Sequence, residues 1–290
     1  MAFSIKELAA LSGIKAHTIR IWEQRYNFLK PGRTSTNIRT YSNEELKTLL
    51  TVSLLNKYGY KISRIDEMPF NKRSDAVLSL SVPEAKNERL INELVGCTID
   101  LKSVELERLI NEYIEEHGLP EFIQLIFQFL ERVGLLWQSN KVNPAQEHIA
   151  SNIIRQKIIS AINRLPLPET SQSTVLLFLP EYEHHELGLL FVYYLLKEKG
   201  ISCIYLGANV PLKDLQYIID AKKPDYIYTH LITFPRQLNL EKFTSQLATR
   251  LQTTKALLSG PAITNAAKKL PTEFTVLQSF AEVLSYISKL

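Results

Sequence analysis

Residues 174–188 read Thr-Val-Leu-Leu-Phe-Leu-Pro-Glu-Tyr-Glu-His-His-Glu-Leu-Gly, and this segment indicates how the second half of the chain folds. Its apolar run at 175–179 has the length of a buried strand, and an amphipathic helix is expected from about residue 186 to 199. Four more short apolar runs follow, at 201–206, 226–230, 256–258 and 275–277. Helical segments alternate with them, at about 211–221 and 240–251. This alternation predicts a Rossmann-like parallel sheet over residues 174–290, with helices on both of its faces.

The segment before this sheet has a helical pattern. Apolar residues recur at three- and four-residue spacing through four stretches, each of which opens at a Pro or Asp start signal. The four stretches are 83–95, 100–116, 120–137 and 144–163. Because the links between them are short, they predict an up-down four-helix bundle within residues 76–165. Leu165-Pro166-Leu167-Pro168 then begins a linker to the sheet.

The first 75 residues are basic and begin with two helix signals. They contain 13 Lys and Arg against 7 Asp and Glu, which is the charge footprint of a nucleic-acid-binding module. Ser4 and Glu7 form a capping box for a first helix, Gly13 ends that helix, and a second helix is expected from about residue 15 to 26. Two short helices joined by a glycine turn are typical of a helix-turn-helix.

A wing is expected after these two helices. Pro31-Gly32 precludes a helix, whereas Thr40-Tyr41 favours a short strand pair. A second capping box at Ser42 then opens a longer helix. Residues 1–75 are therefore predicted to form a winged helix-turn-helix domain.

Several features of this module occur at fixed spacing. They are Thr18-Ile19-Arg20, Trp22-Glu23, Arg25-Tyr26, Pro31 with Arg33, Arg39 with Tyr41, and the stretch from Tyr58 to Ile65. This pattern, over about residues 2–70, resembles the MerR family of transcriptional regulators. The resemblance implies binding to double-stranded DNA, with the second helix reading the major groove and the wing holding phosphates. The groove residues or their neighbours would be His17, Thr18, Arg20 and Tyr26. The phosphate-holding residues would be Arg33, Arg39 and Tyr41. The alternative is a winged helix used only for protein contacts.

Two positions depart from the family pattern in this module. Asn27 and Asn37 stand where the family has glycine. Asn is the residue that best tolerates positive φ after Gly, so both turns are expected to survive.

Composition limits the remaining function classes. The chain has no run of about 18 apolar residues, so no membrane span is expected. Cys97 and Cys203 are the only cysteines and give neither a disulfide framework nor a zinc-binding spacing, which favours a cytoplasmic location. No separate set of acid, base and nucleophile appears in the sequence, so the chain is not expected to be an enzyme.

The loop after the first strand of the predicted sheet carries Glu183-x-His185-x-x-Gly188. In sheets of this type, ligands bind at the carboxyl ends of the strands. The spacing resembles the cobalamin-binding motif of corrinoid proteins. The resemblance implies that His185 displaces the cofactor's own lower base and binds cobalt, and that Glu183 holds the other imidazole nitrogen. It also implies that Gly188 lets the nucleotide tail of the cofactor pass close to the backbone.

Two further parts of that motif follow in order. Thr229-His230-Leu231 stands in place of Ser-x-Leu, and Ser259-Gly260 stands in place of Gly-Gly. By the resemblance, Thr229, Leu231, Ser259 and Gly260 belong to the cofactor site. The hydroxyl of Thr229 can still form a hydrogen bond, whereas Ser259 places a side chain where the tail would pass. His184 and His230 are expected to be structural or surface residues rather than cobalt ligands.

Trp137 is followed, after nine residues, by Glu147-His148. Without context, Trp137 would be a core anchor and His148 an ordinary helix histidine. With the other modules, the order of domains resembles the cobalamin-dependent, light-responsive repressors of the MerR type over residues 1–290. That resemblance implies that Trp137, Glu147 and His148 cap the upper face of cobalamin and hold the adenosyl group of adenosylcobalamin. Those photoreceptors have a His directly after the Trp, whereas this chain has Gln138, and an amide is a poorer cobalt ligand than an imidazole.

The sequence therefore predicts three domains with one regulatory task. Residues 1–75 would bind DNA, 76–165 would cap cobalamin and 174–290 would bind it. The chain would act as a repressor and light sensor. Because Pro69 and Pro83 interrupt the segment after the winged helix, the chain would form a homo-oligomer through the bundle and the cobalamin domain. Two alternatives remain open: a MerR-type regulator whose cobalamin-like domain binds no cofactor and mediates oligomerisation or partner binding, and a corrinoid methyl carrier.

Overall fold

The computed structural model describes residues 2–168, 171, 173–233, 239–267 and 270–290. The chain divides into two compact units, Met1–Ile154 and Arg155–Leu290. Among the described residues, none of the helices combines the length and the apolar character needed to cross a bilayer.

The N-terminal part of the first unit is a winged helix-turn-helix, as predicted. Its elements are α1 (Ile5–Ser12), α2 (Ala16–Arg25), β1 (Gly32–Arg33), β2 (Arg39–Thr40) and α3 (Asn43–Lys57). Both expected capping boxes form, at Ser4 and at Ser42, and Gly13 ends α1 with φ of 71°. The wing strands β1 and β2 pair antiparallel. The local start and stop signals therefore place these helices where the sequence predicted them.

The two asparagines that replace family glycines behave differently. Asn37, at the tip of the wing, has φ of 62°, so it adopts the left-handed conformation that the family glycine would allow. Asn27 is not among the residues with positive φ; its backbone N–H instead donates to Asp66 Oδ1 at 2.8 Å. Of these two asparagines, only Asn37 therefore adopts the left-handed conformation.

Two short helices follow α3, namely α4 (Ile62–Glu67) and α5 (Phe70–Leu78). The second falls in the segment that was expected to be interrupted by Pro69 and Pro83. Pro69 is the N-cap of α5, with φ of −65° and ψ of 159°, so it begins this helix. A proline that precedes the first turn loses no helical hydrogen bond, which is why α5 can form.

Four longer helices follow, as predicted. They are α6 (Pro83–Ile99), α7 (Ser103–His117), α8 (Leu119–Gln138) and α9 (Pro144–Arg164). The first three contact one another around the buried side chains of Leu94, Ile110, Phe122 and Phe129. Asp100 does not begin α7, because α6 continues to Ile99 and Leu101 has φ of 58°, which interrupts the helical path. Helix α9 spans the boundary at Ile154 between the two units.

The second unit contains the predicted parallel sheet. Its elements are β3 (Thr174–Pro180), α10 (Leu187–Glu198), β4 (Ser202–Val210), α11 (Leu212–Lys222), β5 (Tyr226–His230), α12 (Leu240–Ala248), β6 (Lys255–Ser259), α13 (Pro261–Ala266), β7 (Phe274–Leu277) and α14 (Phe280–Ile287). The strand order is β4-β3-β5-β6-β7, and every neighbouring pair is parallel. The order reverses between β3 and β5, so the carboxyl ends of these two strands are the expected ligand-binding edge.

The two faces of the sheet have separate cores. Ile227 and Leu231 belong to a buried cluster with residues of α11 and α12, such as Leu215 and Phe243. On the other face lie α10 and α14, where the rings of Phe191 and Phe280 stack with centroids 5.0 Å apart. Because side chains alternate along a strand, neighbouring residues of β5 face different cores. This alternation decides which motif residues meet at the ligand-binding edge.

Candidate cofactor and DNA-binding sites

Glu183 and His185 form a tight pair in the loop after β3. The Nδ1 atom of His185 lies 2.6 Å from Glu183 Oε1, and the backbone N–H groups of His184 and His185 donate to the same oxygen at 2.8 Å. The other carboxylate oxygen accepts from the backbone N–H of Thr233 at 3.2 Å and from its hydroxyl at 3.3 Å. The structure thus brings together the carboxylate and imidazole that the motif pairs.

Charge and exposure in this pair suit a metal ligand with a buried support. The Glu183 side chain is only 1% exposed, whereas that of His185 is 58% exposed. Burial alone would raise the pKa of the Glu183 carboxyl, but the hydrogen bonds and charge of His185 lower that pKa to about 2. The carboxylate is therefore ionised at neutral pH and orients the imidazole through Nδ1. A metal would then be ligated through Nε2.

The residue after His185 fixes the end of the loop. Glu186 accepts from the hydroxyl of Tyr205 at 2.8 Å through Oε1 and pairs with Arg155 Nη2 at 2.5 Å through Oε2. Its side chain is 13% exposed. His185 therefore lies between two anchored carboxylates, Glu183 and Glu186, which limits how far the loop can move.

Gly188 lies at the start of α10, directly against the ring of His230. A β-carbon placed on Gly188 would be 2.3 Å from His230 Cδ2 and 2.6 Å from Nε2, which is closer than real side chains approach. Gly188 is thus the residue that leaves room for this imidazole. In this structure the space beside the Gly188 backbone is occupied by His230.

His230 is held in that position by a short hydrogen-bonded chain. Its Nδ1 atom lies 2.8 Å from Ser259 Oγ, and Ser259 Oγ lies 2.5 Å from the hydroxyl of Tyr228. Both Ser259 and Tyr228 are 2% exposed. Desolvation lowers the pKa of His230 to about 4, so its imidazole is neutral at pH 7.

Thr229 and Leu231 face the other side of the sheet. Thr229 lies between Ile227 and Leu231, which both pack into the cluster against α11 and α12. The structure therefore does not bring the Thr229 hydroxyl to Gly188, and the β5 side chain that faces Gly188 is His230. The Thr229 hydroxyl is buried and has no hydrogen-bond partner within the described residues.

Gly260 is required by a backbone contact rather than by a ligand contact. It has φ of 100°, and a β-carbon placed on it would be 2.3 Å from the carbonyl oxygen of Leu231. The backbone N–H of Leu231 in turn donates to the carbonyl of Ser259 at 2.9 Å. Leu231 and Gly260 thus hold the ends of β5 and β6 in close contact. Their assignment to the cofactor site stays a prediction.

Trp137, Glu147 and His148 lie in the first unit. Trp137 is near the end of α8 and 53% exposed, and Glu147 and His148 are in the first turn or so of α9. The Nδ1 atom of His148 lies 2.9 Å from Glu147 Oε2. Gln138 lines a cleft of about 250 Å³ that it shares with residues of α1, including Glu7. The role of Trp137, Glu147 and His148 against a corrinoid stays a prediction.

The recognition helix α2 presents donors to solvent. His17 and Arg20 are exposed, and Thr18 and Tyr26 are partly buried. On its inner side, Ile19 is fully buried in the domain core. Exposed donors opposite a buried apolar side are what a groove-reading helix needs, and the groove contacts of His17, Thr18, Arg20 and Tyr26 stay predictions.

The wing is attached to α2 by Glu23. Arg39 Nε donates to both carboxylate oxygens of Glu23, at 2.8 and 2.9 Å, and the Tyr41 hydroxyl donates to Glu23 Oε2 at 3.2 Å. Tyr41 is fully buried, and burial together with Glu23 raises its pKa to about 12. Arg33, in contrast, is exposed, and its guanidinium donates to Asn37 Oδ1 at 2.8 Å. Phosphate contacts by Arg39 and Tyr41 stay predictions, and both donors already have a partner in Glu23.

His230 was expected to be a structural or surface residue, but its contacts, and those of Tyr228 and Glu23, were not predicted from the sequence. His230 packs against Gly188 and is held through Ser259 and Tyr228, and Glu23 supports the wing. Strand alternation would have grouped His230 with Tyr228 and separated both from Thr229. The sequence contains no comparable signal for Glu23, because its partners are 16 and 18 residues away.

Comparison with known proteins finds two family matches within the first 160 residues. Residues 3–68 match the model of the MerR HTH family regulatory protein, and residues 90–160 match the model of a B12 binding domain. The chain is 26% identical over 234 residues to the HTH-type transcriptional repressor CarH of Myxococcus xanthus, and the aligned region covers 78% of this chain and 77% of CarH. It is 29% identical over 256 residues to the HTH-type transcriptional repressor CarA of the same organism, and the aligned region covers 87% of this chain and 83% of CarA.

A solved structure has a similar fold over much of the chain. The Methanosarcina barkeri monomethylamine corrinoid protein superimposes with a TM-score of 0.57 at 13% identity, covering 70% of this chain and 100% of that protein. The winged helix, the helical B12 domain and the parallel sheet together define the class of a DNA-binding regulator built on a corrinoid-protein fold. The MerR HTH match, the B12 binding domain match and the similarity to two transcriptional repressors support a MerR-family regulator with a cobalamin-binding domain.

The described residues fit cobalamin unequally on the two sides of the motif. The Glu183–His185 pair supplies an oriented imidazole and a buried carboxylate, which are the donors that a lower axial ligand needs. Beside Gly188, however, His230 fills the space that the family leaves for the nucleotide tail. The axial side therefore fits the cofactor as it stands, and the tail side fits it only if His230 moves.

Proposed function

We propose that this chain is a sequence-specific DNA-binding repressor whose affinity for its operator is controlled by cobalamin, with adenosylcobalamin as a light-cleavable ligand. The observation that carries the cofactor part is the contact of 2.6 Å between His185 Nδ1 and Glu183 Oε1 at the carboxyl end of β3. A bare surface histidine would need no buried, ionised carboxylate behind it. The proposal treats the chain as a regulator and not as an enzyme.

DNA binding would use both parts of the winged helix. His17 and Arg20 are exposed on α2, where a recognition helix meets base edges. Arg33 is exposed on the wing, where a guanidinium can meet a phosphate. The excess of basic residues in the first 75 positions would add an affinity that falls with rising salt.

Cobalamin would be held from below by His185, with Glu183 fixing the ring orientation. Trp137, Glu147 and His148 would pack against the upper ligand, as the family resemblance implies. When bound, adenosylcobalamin supplies a cobalt–carbon bond that light can break. The amide of Gln138 is a weak donor to cobalt, so we assign no second protein ligand to that position. Oligomerisation through the bundle and the sheet domain belongs to the same proposal.

The test uses the full chain purified with adenosylcobalamin in the dark. Its visible spectrum and its affinity for an operator fragment are measured before and after illumination. We expect a histidine-ligated spectrum in the dark and a change in operator affinity after light. A chain that takes up no corrinoid, or that binds the same DNA equally in both states, contradicts the control mechanism while leaving the MerR classification intact.

A second candidate function is favoured by one observation. Because His230 occupies the space beside Gly188, the sheet domain could serve for oligomerisation or partner binding without a cofactor. This candidate predicts that operator affinity is the same with and without corrinoid. The same titration separates the two candidates.

A further inference from the structure

The space between Gly188 and His230 is too small for any ligand layer. A single β-carbon on Gly188 would already be 2.3 Å from the imidazole carbon Cδ2. A flat heteroaromatic base needs roughly 3.5 Å of separation from the atoms on each of its faces. A nucleotide base therefore cannot lie between Gly188 and His230 while the imidazole holds this position.

The position of His230 is held by contacts on the sheet. Its Nδ1 atom is within hydrogen-bond distance of the hydroxyl of Ser259, and that hydroxyl is hydrogen-bonded to Tyr228 on β5. Ser259 is also the residue of β6 that lies opposite His230 in the strand register. Tyr228 and His230 are two residues apart on one strand and so point to the same face, toward α10. Tyr228 and Ser259 are both buried, so the imidazole rests on a fixed polar support.

We propose that His230, anchored by Ser259 and Tyr228, is a specificity-determining residue that fills the tail side of the site, so that cobalamin and other corrinoids with a nucleotide tail bind only at the cost of displacing this imidazole, a cost that tail-free corrinoids do not have. A tail-bearing corrinoid enters this side only after His230 leaves Ser259 and swings away from Gly188. This inference rests on the proposed function, because it takes His185 as the cobalt ligand.

The contact between Gly188 and His230 should affect the binding of cobinamide and of cobalamin differently. Cobinamide, which lacks the nucleotide tail, needs His185 and Glu183 but nothing from the space beside Gly188. Cobalamin needs both, and breaking the bond from His230 to Ser259 opposes its binding. Replacing His230 by Ala removes the obstruction, and replacing Ser259 by Gly keeps the imidazole but removes its anchor.

The experiment titrates the full-length wild type, His230→Ala and Ser259→Gly with aquacobalamin and with aquacobinamide, following the visible spectrum. The measured quantity is the ratio of the two dissociation constants for each protein. We expect His230→Ala to shift this ratio roughly tenfold toward cobalamin, since one hydrogen bond and a steric obstruction are removed. Ser259→Gly is expected to shift it in the same direction by a smaller factor.

His184→Ala is the matched control, because it removes an exposed histidine of the same loop whose described contact at Glu183 is through its backbone N–H. It should leave the ratio unchanged. If His230→Ala does not fold, Ser259→Gly and Tyr228→Phe carry the same test, since each loosens the support of His230 while keeping the imidazole.

The outcomes separate this inference from the proposed function. If His230→Ala binds cobalamin more weakly while cobinamide binding is kept, His230 holds the tail and the inference is wrong. An unchanged ratio in every variant also overturns it, although His185 ligation stands. If neither the wild type nor any variant binds either corrinoid, the proposed function fails and this inference fails with it. A His230→Ala protein that binds cobalamin where the wild type does not supports it most strongly.

Discussion

Two carboxylates orient donor groups in different halves of the chain, and they leave those groups in opposite states. Glu183 holds the imidazole of His185, two residues away, and leaves that side chain 58% exposed. Glu23 holds Arg39 and Tyr41 across 16 and 18 residues, and Tyr41 is fully buried. At the sheet edge, Glu183 orients an exposed imidazole that can still bind a ligand. At the wing, Glu23 binds donor groups whose hydrogen bonds stabilise the domain.

A residue type at a motif position therefore does not fix the role of that residue. His185 and Tyr41 both match their family patterns, but only His185 has the exposure that a direct ligand contact requires. The exposure of a side chain and the partners of its polar atoms decide whether it can contact a ligand or instead stabilises the fold.

His185→Ala should abolish histidine-ligated corrinoid binding. It removes the ring nitrogen that Glu183 orients at the sheet edge, so the loss should exceed the ~10–100-fold that removal of an outer-shell partner costs. The measurement is the visible spectrum and dissociation constant for aquacobinamide, which avoids the tail side of the site. His184→Ala serves as the control, and a nitrogen-ligated spectrum that persists in His185→Ala would show that another residue is the ligand.

Arg20→Ala should weaken operator binding by ~1–3 kcal/mol and reduce sequence preference, because Arg20 is an exposed donor on the recognition helix. Fluorescence anisotropy with specific and scrambled duplexes at several salt concentrations measures both effects. Arg108→Ala, which removes an exposed arginine of α7 paired with Glu105 and Glu112, should have little effect. Equal losses on both duplexes would mean that Arg20 contacts phosphate and not bases.

Tyr41→Phe separates support from contact at the wing. The buried hydroxyl bonds to Glu23 at 3.2 Å, so its removal should lower the free energy of unfolding by ~0.5–1.5 kcal/mol. Operator affinity should change by less than about twofold, since the hydroxyl already has its partner. Chemical denaturation and anisotropy give the two numbers. A large loss of DNA affinity with unchanged stability would restore Tyr41 to the phosphate contacts that the family resemblance implies.

Thr229→Val tests the face assignment of β5 with the smallest expected effect. The Thr229 hydroxyl is buried without a partner among the described residues, so an isosteric methyl group should raise the free energy of unfolding by about 1 kcal/mol at most. Cobalamin affinity should not change, because Thr229 faces α11 and α12. If affinity for cobalamin falls while affinity for cobinamide does not, the hydroxyl contacts the tail and the face assignment is wrong.

Much of the fold could be predicted because its signals are local. The capping boxes at Ser4 and Ser42 are written within four residues, and the apolar runs of the sheet alternate with helices at regular spacing. Helix α5 was missed because Pro69 was interpreted as an interruption when it is the N-cap. The start of α7 was misplaced because nothing in the sequence indicates the positive φ of Leu101.

The winged helix, the helical segments and the alternation of strands with helices follow from signals that are local in the chain, and the pairing of Glu183 with His185 follows from the resemblance of a short motif to that of corrinoid proteins. Packing between distant elements shows that Glu23 holds Arg39 and Tyr41, and that His230 rather than Thr229 faces Gly188. The physical reason is the same in both cases. Which polar groups meet depends on strand alternation and on packing between distant elements, and a shift of one residue along a strand moves a side chain to the opposite face of the sheet.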